Sequence, residues 1–286
     1  MPELPEVETI KKDLSKYILH KNISAVFISP KAKINKNKNF FLDFLLDSKI
    51  KKINRIGKLF FLEFENSEIF LLIHLKMTGQ LIFVCDKKVI GGGHSENKLN
   101  LNLPNKSTRI IISFIDGSKL FFNDTRRFGY FKLVNKKELE TEKNKYGLEP
   151  LTKNFIFENF RTIFINKKSI LKSFLLNQKN IAGLGNIYVD ESCFDAGIRP
   201  DRRVNTLNKN EIKKLANSIK KIIKKACEKR GTTFNNYVDP DGNQGNYSKY
   251  LKVYGRSGQK CLKCGEKLRN IKISGRITVF CAKCQK

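Results

Sequence analysis

Four of the seven cysteines stand as two pairs, Cys261-x2-Cys264 and Cys281-x2-Cys284, a spacing that lets two knuckles deliver four thiolates to one zinc ion. With sulfur in every position such a site is closed and structural, because a catalytic zinc keeps one position open. The intervening KLRNIKISGRITVF alternates about Gly275 and predicts a hairpin. Arg276, in its turn region, reads either as a solvated side chain or as a phosphate contact. The other end of the chain offers different chemistry. Pro2 is small enough for the initiator Met to be removed, which leaves a secondary amine at the start of the chain. A neutral amine can attack an anomeric carbon and form an iminium, and α-amino groups titrating at about 8 keep a usable neutral fraction near neutrality. Glu3 beside it and Glu6 one turn further on are candidate acids. The same residues also read as an ordinary helix start, with acids complementing the dipole.

Three further segments carry possible contacts. In IAGLGNIYVDE (181–191), Gly183 and Gly185 permit close backbone approach and a helix from Asn186 would offer free N–H groups to an anion, or the glycines simply make a turn. The segment lacks the full dinucleotide fingerprint, so no nucleotide cofactor is expected. LIHLKMTGQL sets Met77 on a turn, and FNDTRRFGYF sets Arg126, Arg127 and Phe128 on another. These read as a core methionine and a surface arginine pair beside a core aromatic, or as a wedge that fills the gap left by a flipped base.

The elements that must position these residues follow from periodicity. Val7, Ile10, Leu14 and Ile18 recur at helical spacing after Pro5. From Ile23 to Val134 the runs are β-like, with a hairpin signal at Asp116-Gly117, and predict an antiparallel sandwich or barrel. The polar stretch over 136–150 reads as a linker. Beyond it Ile212, Leu215, Ile219, Ile222, Ile223 and Ala226 make one helical face, with Asn208 and Glu211 as a capping pair. Asn235–Ser248 reads as a long mobile loop. The boundaries drawn are 1–135, 136–150, 151–256 and 257–286.

A formal charge of +29 and a pI near 9.9 suit a polyanion, although an AT-rich coding sequence also enriches lysine. Three histidines leave little room for a histidine-based nucleophilic triad. The N-terminus lacks signal-peptide features and no stretch reaches the ~18 apolar residues of a membrane span. A cytoplasmic protein is expected, with Cys85, Cys193 and Cys227 as buried free thiols.

Taken together, MPELPEVET, KSILKSFLLNQKNIAGLGNIYVDESCFDAGIRP, YLKVYGRSG and GRITVFCAKCQK, in this order along nearly the whole chain, resemble the formamidopyrimidine-DNA glycosylase family. The resemblance implies an α+β multidomain fold: a β-sandwich with one long N-terminal helix, a helix-two-turns-helix domain with a lesion-capping loop, and a zinc ribbon, with damaged double-stranded DNA in the cleft between domains. It implies a monomer holding one structural zinc. By motif, Pro2 is the nucleophile and Glu3 the proton donor on the sugar side. Lys58 contacts phosphate and serves β-elimination; Arg276 grips phosphate and serves δ-elimination. Asn186 and Lys167 are DNA contacts. Met77, Arg126 and Phe128 fill the vacated stack, Arg126 addressing the orphaned base. The chain departs from the family's Lys-His-x-His with Lys106-Ser107-Thr108-Arg109, where Arg109 stands as a replacement phosphate contact, and Thr125 replaces a common proline. The implied activity is excision of formamidopyrimidines and 8-oxoguanine followed by strand cleavage at the abasic site. The alternatives are an endonuclease VIII-like enzyme for oxidised pyrimidines and a non-catalytic DNA-binding protein; intact Pro2 and Glu3 argue against the latter.

Overall fold

The computed structural model describes residues 1–86, 88–93, 102–232 and 245–286. Helix α1 (Leu4–Ile18) begins where the sequence signals it. Pro5 occupies the first turn, where no N–H partner is needed, and Glu6 reaches back to accept the Glu3 N–H at 2.9 Å. The stripe Val7, Ile10, Leu14 and Ile18 is buried.

Nine strands follow: β1 (Ile23–Ile28), β2 (Ile50–Ile56), β3 (Leu59–Phe64), β4 (Ile69–His74), β5 (Gly79–Cys85), β6 (Lys88–Gly93), β7 (Thr108–Phe114), β8 (Lys119–Asp124) and β9 (Tyr130–Asn135). They form two antiparallel sheets, ordered β1-β7-β8-β5-β6 and β2-β3-β4-β9. One apolar core takes Phe60, Leu62, Leu71 and Phe131 from the smaller sheet and Leu81, Phe83, Ile112 and Phe122 from the larger, together with the α1 stripe. This is the expected sandwich. Between β1 and β2 the β-like stretch holds a helix that periodicity did not reveal, α2 (Lys38–Leu45), whose Asn37 side chain caps the Phe40 N–H.

The polar stretch after β9 also differs from a plain linker. Its first half is helix α3 (Lys136–Lys143), started by a reciprocal Asn135–Glu138 capping box and seated through Leu139 alone. The chain divides into two compact units. The first is Met1–Asn144 with Lys229–Asn246, and the second is Lys145–Glu228 with Tyr247–Lys286.

The second unit holds α4 (Phe157–Thr162), α5 (Leu171–Leu176), α6 (Asn186–Ala196), α7 (Lys209–Glu228) and the hairpin β10 (Arg269–Ile273)–β11 (Arg276–Phe280). The six apolar residues expected on one face of α7 are all buried, and Asn208 and Glu211 cap each other at 2.8 and 3.0 Å. Of the loop expected over Asn235–Ser248, residues up to 244 lie outside the described residues. Tyr247, at its end, is buried and packs its ring against Tyr188 of α6. No helix among the described residues is long and apolar enough to cross a membrane.

Candidate active site

The start of α1 gathers three of the groups that can do chemistry. Met1 is partly exposed, while Pro2 and Glu3 are buried. Burial lowers the pKa of the terminal amine; Glu3 and Glu6 oppose this, and the Lys58 ammonium adds to the lowering. Lys58 sits in the tight turn joining β2 to β3 and is 4% exposed. One small volume thus contains an amine biased toward its neutral form, a carboxyl group and a cation, with Pro2 buried beside them.

Glu6 has a different role from the acid that its spacing allowed. It is fully buried, and while Oε2 accepts from Glu3, Oε1 accepts the Thr232 N–H at 2.8 Å and the Thr232 hydroxyl at 3.2 Å. Arg230 adds two hydrogen bonds to Asp13, at 2.6 and 3.3 Å. The segment that follows α7 is therefore clamped onto α1 by two carboxylates. Gly231 fits here because a Cβ on it would come within 2.5 Å of the Glu6 carboxylate.

His74, at the end of β4, was not singled out by its sequence context. Its Nδ1 accepts the Lys76 N–H at 3.0 Å, which leaves the proton on Nε2. Burial, then the Lys76 and Lys58 charges, hold its pKa down to about 3.

The two turns expected to form a wedge are brought together by sheet register, since β5 and β8 pair with Gly79 opposite Asp124. Asp124 is the hub: it accepts the Thr78 hydroxyl on one oxygen and the Gly129 N–H, at 2.7 Å, on the other. Thr78 in turn accepts the Arg126 N–H at 3.1 Å. Met77 and Phe128 are left 41% and 48% exposed, too much for core residues, and the Arg126 guanidinium stacks over Phe128 at 4.8 Å. The Met77 turn is tight enough that a Cβ on Gly79 would come within 2.4 Å of the Leu75 carbonyl oxygen.

Arg109, expected as a phosphate contact, is buried, and its Nε and Nη1 donate to the carbonyls of Asp124, Lys106 and Thr108 at 2.9, 3.1 and 3.4 Å. These bonds brace the turn that follows Asp124, and Nη2 takes no part in them. Neither Asp124 nor Thr78 carried a sequence signal beyond its place in the two segments.

In the second unit, α6 begins at Asn186 behind Gly185, with no acid in its first turn. Asn186 Nδ2 donates to the Ile277 carbonyl at 3.3 Å, while its Oδ1 is buried without a partner. Arg276, exposed, opens β11 next to Ile277. What joins α6 to the ribbon is a buried ion pair: Lys172 Nζ lies 2.7 Å from Asp190 Oδ1 and donates to the Ile277 carbonyl at 3.2 Å, and Asp190 Oδ2 accepts the Val279 N–H at 3.1 Å. Burial pushes the Asp190 carboxyl up to about 6 against the pull of Lys172. The neighbouring Glu191 carboxylate accepts the N–H groups of Lys252, Val253 and Tyr254. The two acids of the IYVDE motif thus anchor the ribbon and the strap leading to it. Lys167 is exposed, just beyond α4.

The four ribbon cysteines converge. Their sulfur atoms all lie within 4.8 Å of one another, with Cys264–Cys281 at 3.5 Å and Cys261–Cys284 at 4.0 Å. These separations bracket the edge of about 3.8 Å that follows from Zn–S bonds of ~2.3 Å. N–H groups of Lys263 and Cys284 point at the Cys261 and Cys281 sulfurs at 3.4 Å, as thiolate ligands require, so the donor set fits one structural zinc. Of the remaining thiols Cys193 is buried, whereas Cys85 and Cys227 are only half-buried.

Glu3 and Lys58 buried beside the terminal amine, together with four converging cysteines on a helical unit, are what a base-excising DNA repair enzyme would present. Family models agree along the chain: the formamidopyrimidine-DNA glycosylase N-terminal domain matches residues 1–131, the H2TH domain of the same family 146–237, and the zinc finger found in FPG and IleRS 258–286. The chain belongs to the formamidopyrimidine-DNA glycosylase family, DNA glycosylases and abasic-site lyases of base-excision repair. It is 36% identical to the formamidopyrimidine-DNA glycosylase of Desulfitobacterium hafniense over the full length of both. It is similar to a Lactococcus lactis Fpg variant solved with Fapy-dG-containing DNA (TM-score 0.87, 31% identity, all of both chains). A complex of the wild-type Lactococcus lactis protein with DNA containing an oxidised pyrimidine is similar at TM-score 0.86 and 31% identity, again over all of both chains.

Proposed function

We propose that the protein removes oxidised purines, formamidopyrimidines and 8-oxoguanine, from duplex DNA and cleaves the strand at the resulting abasic sugar, with Pro2 nitrogen as nucleophile. The observation that carries this reading is the burial of Pro2 and Glu3 at the start of the chain, with buried Lys58 close enough to act on the terminal amine. The amine attacks C1′ and the C1′–base bond breaks, the base leaving with a proton. Glu3 protonates the ring oxygen as the sugar opens, giving an iminium between Pro2 and C1′. Loss of a C2′ proton then expels the 3′ phosphate by β-elimination, Lys58 serving the proton transfer, and a second elimination, assigned to Arg276, expels the 5′ phosphate. Met77 and Phe128 fill the space of the extruded nucleotide and Arg126 addresses the orphaned base. Lys58, Asn186, Arg276 and Lys167 are the phosphate contacts.

The Lactococcus lactis complex with oxidised-pyrimidine DNA supports a second reading, in which oxidised pyrimidines also enter this site. Excision assays on duplexes with single formamidopyrimidine, 8-oxoguanine or oxidised-pyrimidine lesions separate the two. The nucleophile is tested by borohydride: the protein should become crosslinked to lesion-bearing duplex through Pro2 nitrogen. A chain that retains Met1, in which that nitrogen is an amide, should not crosslink. Trapping that persists with Met1 in place, or that maps to a lysine, overturns the assignment.

A further inference from the structure

In the first unit two lysines from different segments lie over one tyrosine, and a third, Lys33, repels one of them. Lys132 Nζ lies 4.9 Å and Lys76 Nζ 5.6 Å from the Tyr130 ring centroid. Register explains the meeting: His74 pairs with Tyr130 and Leu72 with Lys132 across β4 and β9, so the chain leaving β4 carries Lys76 back over the same ring. Lys33 arrives separately, its carbonyl accepting the Phe131 N–H at 3.0 Å.

The cluster is under-neutralised. Among the described residues its one ion pair is Lys132–Glu142 at 3.6 Å, and Lys33 and Lys132 both repel the half-buried Lys76, on top of its desolvation. Holding like charges together in partly dry surroundings costs free energy that an anion recovers. The aromatic face stabilises each ammonium only modestly. Position then selects the anion: Lys76 adjoins Met77, and Tyr130 lies two residues after Phe128, so the cluster is carried on the same two turns as the residues that would occupy a vacated base stack.

We propose that Lys76 and Lys132 over Tyr130, together with Lys33, bind a backbone phosphate of the DNA flanking the extruded nucleotide, a contact additional to the phosphate contacts given above. This rests on the reading of Met77 and Phe128 as a wedge in duplex DNA. Each phosphate neutralised by a lysine releases condensed counterions, so the salt dependence of binding reads the contact directly.

The test compares the full-length protein with K76Q/K132Q and K76R/K132R on undamaged duplex and on duplex with a stable abasic analogue. The glutamine pair should flatten the slope of log K against log salt by about one unit, the value for one neutralised phosphate, on both duplexes, and the arginine pair should keep the wild-type slope. Replacing single phosphates with neutral methylphosphonates should then reveal one position, next to the analogue, that weakens wild-type binding about tenfold but leaves the glutamine pair unaffected. An unchanged slope in the glutamine pair overturns the proposal, as does the absence of any such position. Failure of the wild-type protein to excise any oxidised base would instead overturn the proposed function, and the slope on undamaged duplex would still judge this cluster.

Discussion

Helices α1 and α6 both begin at residues proposed above as functional, yet their first turns are built for opposite charges. In α1 the turn is closed by its own acids: Glu6 accepts the Glu3 N–H, and the buried carboxylates face an amine. In α6 the first turn holds no acid, glycine precedes it, and the side chain at its first position is an asparagine with a buried, unpartnered oxygen. The positive end of a helix dipole is thus neutralised from within in one case and left available in the other. What occupies the first turn decides whether a helix start is closed by its own acids or left open to an anion.

The largest effect should come from breaking what stands behind the α6 start. Lys172→Met leaves Asp190 buried without its counter-charge and should cost about 4 kcal/mol of stability, measured by urea unfolding. Lys172→Met/Asp190→Leu should recover part of that loss, and if the double variant is no more stable than the single one, the pair is not what docks the ribbon. The counterpart in α1 is Glu6→Ala, which strands the Glu3 and Thr232 donors and should cost roughly 3 kcal/mol, at one to three per orphaned group. Hydrogen exchange of the Thr232 amide should accelerate with it; protection at the wild-type level would remove Glu6 from its clamping role.

A pH titration sharpens the comparison at the α1 site. His74 is held neutral, its folded pKa near 3 lying below the ordinary value of 6.5. A lowered histidine pKa means that the unfolded chain binds the proton first. Stability is therefore full above about 6.5 and falls as pH drops toward 3, by about 2 kcal/mol at pH 5. His74→Gln should flatten that portion of the stability profile, and a slope identical to wild type would show that the ring is not shielded. The smallest effect is expected at the α6 start itself. Asn186→Ala should weaken binding to damaged and undamaged duplex by about 1 kcal/mol with the salt slope unchanged, because a neutral side chain releases no counterions, whereas a loss confined to damaged duplex would argue against a phosphate contact there.

The parts legible in the sequence were those written in local periods and spacings: the α1 stripe, the α7 face with its Asn208–Glu211 cap, and the four cysteines. Helix α2 was hidden because KNFFLDFL is apolar on most sides, and a short apolar run cannot be told from a strand by period alone. Helix α3 was hidden for the opposite reason, having only Leu139 to bury, although its capping box was there to be found. That Met77 and Arg126 stand on turns followed from their two segments, but the bracing of those turns by Asp124, Thr78 and Arg109 is a product of strand register. Arg109 illustrates the limit: its place in the segment gave no sign that Nε and Nη1 are held by backbone carbonyls.

The tie between Glu6 and Thr232 spans 226 positions of the chain. On a ribosome adding 5–20 residues per second, the carboxylate that fixes the backbone beside Pro2 waits roughly 10 to 45 s for its partner to be made. A nascent or truncated chain ending before that point has the amino terminus but not the brace that shapes its surroundings. Completion of the α1 start is in this way tied to completion of most of the polypeptide, so that an unfinished product carries this corner only half built.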